Sequence, residues 1–212
     1  MKLLDSAILY CDNHLLVILK PPMVATQPDL EEGGKAWLKK KFAKPGNVFL
    51  HAIHRLDKPV SGVVLFARTS KALSRLQAMM REKEIAKTYV AEIEGHLEKE
   101  EGTLKHFVVH DEHRARVDSR NGKEAILHYR VVKKKKETSI VEINLETGRY
   151  HQIRLQFSAV GHPIVGDTKY GSKKFCKEGI SLESTKLSFK HPITGKEIEI
   201  TSSGKPYKLP SA

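Results

Sequence analysis

The run Gly62-Val63-Val64-Leu65-Phe66-Ala67-Arg68 constrains the fold more than any other stretch of this sequence. It is apolar up to its last residue, rich in β-branched and aromatic side chains, and short for a buried helix. Such a run reads as a strand covered on both faces, so the chain must supply a layer on either side. The loop before it, His54-Arg55-Leu56-Asp57-Lys58-Pro59-Val60-Ser61, is polar and turn-forming. Pro59 restricts the backbone of Lys58, and Gly62 allows a tight path into the strand. After the run, Thr69 or Ser70 can cap a helix reaching about Lys83, with Leu73, Leu76, Met79 and Met80 at helical spacing.

The other periodicities give mostly strands. Residues 7–10 and 15–20 read as two strands around Cys11-Asp12-Asn13-His14, the second ended by Pro21-Pro22. A short helix is expected over 35–42, where Trp37, Leu38 and Phe42 share a side. Residues 88–94 alternate as a half-buried strand, and 126–132 and 139–145 read as a pair around Lys133-Lys134-Lys135-Lys136, a solvated turn. Residues 187–189 and 197–201 form a further expected pair around His191-Pro192-Ile193-Thr194-Gly195. Over 148–160 an amphipathic helix is expected, with Ile153, Phe157 and Val160 on one side and Gly161 as its stop. Strands outnumber helices without alternating regularly with them, so the class is α+β with a mixed, mostly antiparallel sheet. A length of 212 residues suits a single domain over 1–212, or two closely joined subdomains.

Charge narrows the partners. Lys and Arg total 37 against 25 Asp and Glu, a net charge of +12. This excess draws the chain to polyanions, nucleic acid first among them, and opposes self-association, so a monomer is expected. No apolar run is long enough to span a bilayer, and the opening Met1-Lys2-Leu3-Leu4-Asp5 lacks the layout of a signal peptide. Cys11 and Cys176 have no metal or redox spacing. A cytoplasmic location, with no membrane partner, is the expectation. His51 and His54 stand three apart without a third and fourth ligand, so no metal is expected. Arg114 and Arg116 lie in the basic segment HRARVDSRNGK, which suits a phosphate-contacting loop or a solvated one.

Two residues are candidates for chemistry on their setting alone. Asp57 is either a turn-former beside Pro59 or a catalytic carboxylate on a loop braced against a rigid strand. Arg154 borders the apolar stripe of the helix expected over 148–160. It either snorkels to water or lies buried against an acid that spacing does not name.

Four stretches, in order, carry a resemblance. HRLDKPVSGVVLFART at 54–69 and TGRYHQIRLQFSAVGHPIVGDTKYG at 147–171 are similar to the two signatures of the RluA-type family of RNA pseudouridine synthases. AKTYVAEIEG at 86–95 resembles the family's tyrosine-bearing segment, and ILYCDNHLLVILKPP at 8–22 its opening strand pair. The resemblance implies the pseudouridine synthase catalytic fold, a mixed sheet in two subdomains with flanking helices and a central active-site cleft. It implies cofactor-free isomerisation of a flipped-out uridine in a structured RNA, an rRNA or tRNA stem-loop. Asp57 is then the nucleophile, Arg154 its ion-pair partner, and Tyr89 the ring against the target base. Arg55 matches the arginine that displaces the target nucleotide, with a phosphate contact as its alternative role. Arg55, His54, Arg149, His151, Gln152, Arg114 and Arg116 make up the expected RNA-binding set.

The sequence also departs from the pattern. No counterpart of the family's S4-type RNA-binding module is seen, so substrate selection is expected to rest on the catalytic domain. Leu182-Glu183-Ser184 replaces a histidine-bearing stretch, Gln156 stands where histidine is common, and Tyr150 where Thr or Ser is usual. The rival reading is a catalytically inactive RNA-binding or RNA-folding protein on the same fold, against which the presence of Asp57, Tyr89 and Arg154 argues.

Overall fold

The computed structural model describes residues 2–202. Its strands are β1 (Ile8–Cys11), β2 (Leu15–Lys20), β3 (His51–Ala52), β4 (Ser61–Ala67), β5 (Ala86–Glu94), β6 (Glu101–His110), β7 (Ala115–Val117), β8 (Lys123–Lys134), β9 (Thr138–Leu145), β10 (Leu182–Lys190) and β11 (Glu197–Thr201). Three α-helices join them: α1 (Glu31–Lys41), α2 (Ser70–Arg81) and α3 (Gln152–Ala159). The chain is α+β, and its described residues fall into two units, 2–85 with 184–202, and 86–183.

In the first unit β4 is buried at every position because both of its faces are covered. On one face Val63 and Leu65 pack with Leu15 and Val17 of β2 and with Ala72, Leu76 and Met79 of α2. Helix α2 starts where Thr69 caps it, the side chain accepting from Ala72 N at 3.2 Å. On the other face α1 closes on β2 through Gly34, where a Cβ would stand 2.6 Å from Leu50 and 3.2 Å from Ile18. Close packing thus explains why α1 begins at Glu31 rather than Lys35: the glycine pair that weakens helix propensity lets the helix approach the sheet. Strands β1–β2, β2–β4, β3–β4 and β10–β11 pair antiparallel.

The second unit is an antiparallel sheet in the order β5-β9-β8-β6-β7. Val108, Ala115 and Ala125 on its inner side pack with Leu155 of α3 and Tyr170. Strands β6 and β7 are absent from the sequence reading, which gave Arg114 and Arg116 to a loop; Arg116 instead pairs with Val109 in the β6–β7 ladder. The lysine run is also less free than expected, since Lys133 and Lys134 lie in β8 and Lys135 bonds the buried Glu92 at 2.8 Å. Helix α3 is shorter than the expected 148–160, starting at Gln152 because His151 takes a left-handed conformation (φ 52°, ψ 26°). Nor is it amphipathic: every residue from Gln152 to Phe157 is buried. No helix among the described residues is long and apolar enough to cross a membrane.

Candidate active site

Asp57 lies in the first unit, partly buried, on the irregular segment between β3 and β4. Its position is fixed through the backbone on either side. Thr26 both donates to Leu56 O and accepts from Leu56 N, each at 3.1 Å. Asp57 O accepts from Val60 N at 3.0 Å, closing a turn over Lys58-Pro59. The side chain of Lys20, fully buried at the end of β2, donates to Lys58 O at 3.1 Å, Val24 O at 2.7 Å and Pro21 O at 3.1 Å. An ammonium has three N–H donors, and all three are used. Burial pushes the Lys20 amine down to about 8, with the negative charge of Asp57 pulling the other way.

Gly62 ends this segment inside β4 at φ 121°, and a Cβ there would lie 2.3 Å from Ser184 O. The glycine is needed both for its conformation and for the close passage of β10. His54 Nε2 accepts from Leu65 N at 3.2 Å, while His51 is exposed with its ring against Phe49. These contacts give the two histidines structural work. Among the described residues no three His, Cys, Asp or Glu side chains gather as metal ligands.

Tyr89 and Arg154 lie in the second unit. Tyr89 is on β5, opposite Ile143 of β9, and is 6% exposed. Arg154 is buried on α3, and one acid that pairs with it is Asp167, 1% exposed. The pair is bidentate: Nε donates to Oδ2 at 2.6 Å and Nη2 to Oδ1 at 2.9 Å. A guanidinium has five N–H groups, so this fork can serve a second acceptor through the others. The Arg154 guanidinium also stands 5.0 Å from the centre of the Tyr170 ring, with that of Arg114 at 5.4 Å. Tyr170 OH accepts from Ala115 N at 2.9 Å and shares a hydrogen bond of 2.8 Å with His151 Nδ1. Burial raises the Tyr170 hydroxyl above the usual tyrosine value and keeps it a donor.

The expected RNA-binding residues separate by exposure. Arg55, Arg114, Arg116 and Arg149 are exposed, and Arg149 holds Glu124 O through Nε at 2.9 Å. Gln152 is 3% exposed, and its amide bonds Thr147 Oγ1, Arg149 N and Ile126 O. It holds the turn before α3 and presents no amide outward. His151 is likewise internal, 9% exposed and stacked on Tyr150 at 3.8 Å between ring centres. Sequence reasoning missed Lys20 and Asp167. The signal for Lys20 is a lysine closing an otherwise apolar strand, and Asp167 stands inside the second signature itself.

The family model described as RNA pseudouridylate synthase matches residues 14–159. The uncharacterized RNA pseudouridine synthase YhcT of Bacillus subtilis is 35% identical, over 90% of this chain and 66% of its own length. Ribosomal large subunit pseudouridine synthase C of Vibrio cholerae is 33% identical over 93% and 65%. The chain therefore spans about two thirds of the length of these two relatives. The dual-specificity RNA pseudouridine synthase RluA of Haemophilus influenzae is 35% identical over 89% of each chain. The solved structure of human RNA Pseudouridylate Synthase Domain Containing 1 shares the fold, with a TM-score of 0.78, 23% identity, and 95% and 86% of the two chains covered. That of human RNA Pseudouridylate Synthase Domain Containing 4 has a TM-score of 0.79 at 23% identity over 96% and 88%. With the family pattern running from β2 to the end of α3, the chain belongs to the RNA pseudouridylate synthase family.

Proposed function

We propose that this chain isomerises uridine to pseudouridine in a structured rRNA or tRNA, with Asp57 as the nucleophile. The observation that carries the reading is the backbone brace on the HRLD segment, in which Thr26, Lys20 and the 57–60 turn hold the residues around one carboxylate. Such bracing preorganises a reacting group and removes ordering cost from the chemical step. In the reaction the N1–C1′ bond breaks, the base turns, and C5 bonds to C1′. The C5 proton leaves and N1 gains one, so no electrons are exchanged with a carrier and no cofactor is called for. A carboxylate nucleophile divides this into two easier steps.

Tyr89 packs against the target base, and Arg154, anchored by Asp167, supplies a fixed cation for anionic chemistry. Extrusion of the target base costs a few kcal/mol of stacking and pairing, offset by the aromatic ring and by phosphate contacts from Arg55, Arg114, Arg116 and Arg149. His54 acts by holding the segment that carries Asp57. The protein acts as a cytoplasmic monomer. The test is release of tritium from RNA labelled at uridine C5, using transcribed 23S rRNA and pooled tRNA. Release proportional to enzyme is the expected result; intact RNA binding without release from either RNA contradicts the assignment.

A further inference from the structure

Lys87 stands outside the proposed catalytic set and has surroundings that ordinary surface lysines lack. It lies on β5 two residues before Tyr89, so both side chains leave the strand on the same face. It is partly buried, and burial lowers its ammonium below the usual lysine value with no carboxylate raising it back. Three other lysines that are not fully exposed or bond a buried acid do have partners: Lys20 has three carbonyls, Lys35 has Glu31, and Lys135 has Glu92. Among the described residues Lys87 has none.

The space beside it is open on one side. A Cβ built on the exposed Gly148 would stand 3.5 Å from Lys87 Nζ and would meet no other atom within 4 Å. A partly desolvated cation without a counter-charge is unfavourable, and an anionic ligand seated against it recovers that cost. The missing side chain at Gly148 lets such a ligand approach the main chain. In a chain of net charge +12 the fitting ligand is a nucleic-acid phosphate. We propose that Lys87 anchors a backbone phosphate of the RNA strand that enters beside Tyr89, seated in the open space over Gly148. This rests on the RNA-modification reading and names one of its binding contacts.

The experiment compares wild type, Lys87→Met, Lys87→Arg and Gly148→Val in tritium release and in filter binding of the same transcribed 23S rRNA and pooled tRNA. Lys87→Met is expected to raise KM about tenfold while kcat stays within about twofold, the pattern of lost uniform binding. The slope of log affinity against log salt falls by about one, as for a single lost phosphate contact. Lys87→Arg restores both, and Gly148→Val raises KM with the lysine in place. Should Lys87→Met melt early, Gly148→Val at its exposed position carries the test. An unchanged KM and salt slope would overturn the anchor and return Lys87 to a solvated surface role. A fall in kcat at unchanged KM would overturn it equally, by assigning Lys87 to the chemical step. If wild type releases no tritium, the isomerase reading fails, whereas the filter-binding slope still decides the phosphate contact.

Discussion

At the residue scale, Lys20 holds the loop at Lys58 O and feels the Asp57 charge. Lys20→Met leaves the carbonyls of Pro21, Val24 and Lys58 without that donor. It is expected to cost roughly 2–4 kcal/mol in urea denaturation, where a wild-type midpoint would contradict the brace. The same amine predicts a pH dependence. Below about pH 8 both native and unfolded chains hold its proton; from about 8 to the usual 10.5 only the unfolded chain does. Stability contributed by this group therefore rises with pH through that window, by roughly 3 kcal/mol at most. The rise is read as the difference between wild type and Lys20→Met, and its absence would contradict the burial of a charged amine. Asp167→Asn removes the anionic side of the buried fork with Arg154 and is expected to destabilise by roughly 3–5 kcal/mol, more than the same change at the partly exposed Asp57. Equal melting of the two variants would contradict the buried fork. Asp57 was legible because a motif marks it. Asp167 was not, since a partner thirteen residues along the chain from Arg154 meets it only after the turn at Gly161 and the segment beyond have folded.

At the element scale, legibility follows how many faces an element buries. Strand β4 has two covered faces and so reads as an unbroken apolar run. Strand β6 buries Leu104 and Val108, but the position between them on the same face is His106, whose ring lies 3.2 Å from the Gln156 amide. That one polar residue breaks the alternation by which a strand is recognised. Helix α3 hides a different way: Gln152, Arg154 and Gln156 are polar yet buried, their N–H groups donating to backbone carbonyls and Asp167, so a stripe of Ile153 and Phe157 understates its burial. Gly62, read as allowing a tight path into the strand, is in addition a packing requirement within β4. Gly62→Ala places a methyl on Ser184 O at a positive φ and is expected to cost about 3 kcal/mol in thermal or urea unfolding. An unchanged midpoint would show that β10 can yield.

At the scale of the whole molecule, the net charge of +12 and the exposed arginines predict binding to RNA whose affinity falls linearly with log salt, by roughly 0.7–0.9 for each phosphate contacted. A flat response in filter binding between low and physiological salt would contradict an electrostatic footprint. The family match over residues 14–159 includes Asp57, Tyr89 and Arg154. The central claim, that one braced carboxylate performs the isomerisation, is tested most directly by tritium release from C5-labelled rRNA and tRNA with wild type and Asp57→Asn side by side. Release by wild type, with none by an Asp57→Asn protein that still binds RNA and melts as a folded chain, is the predicted result. Release by both proteins would contradict the account, because the carboxylate would then not be the catalyst.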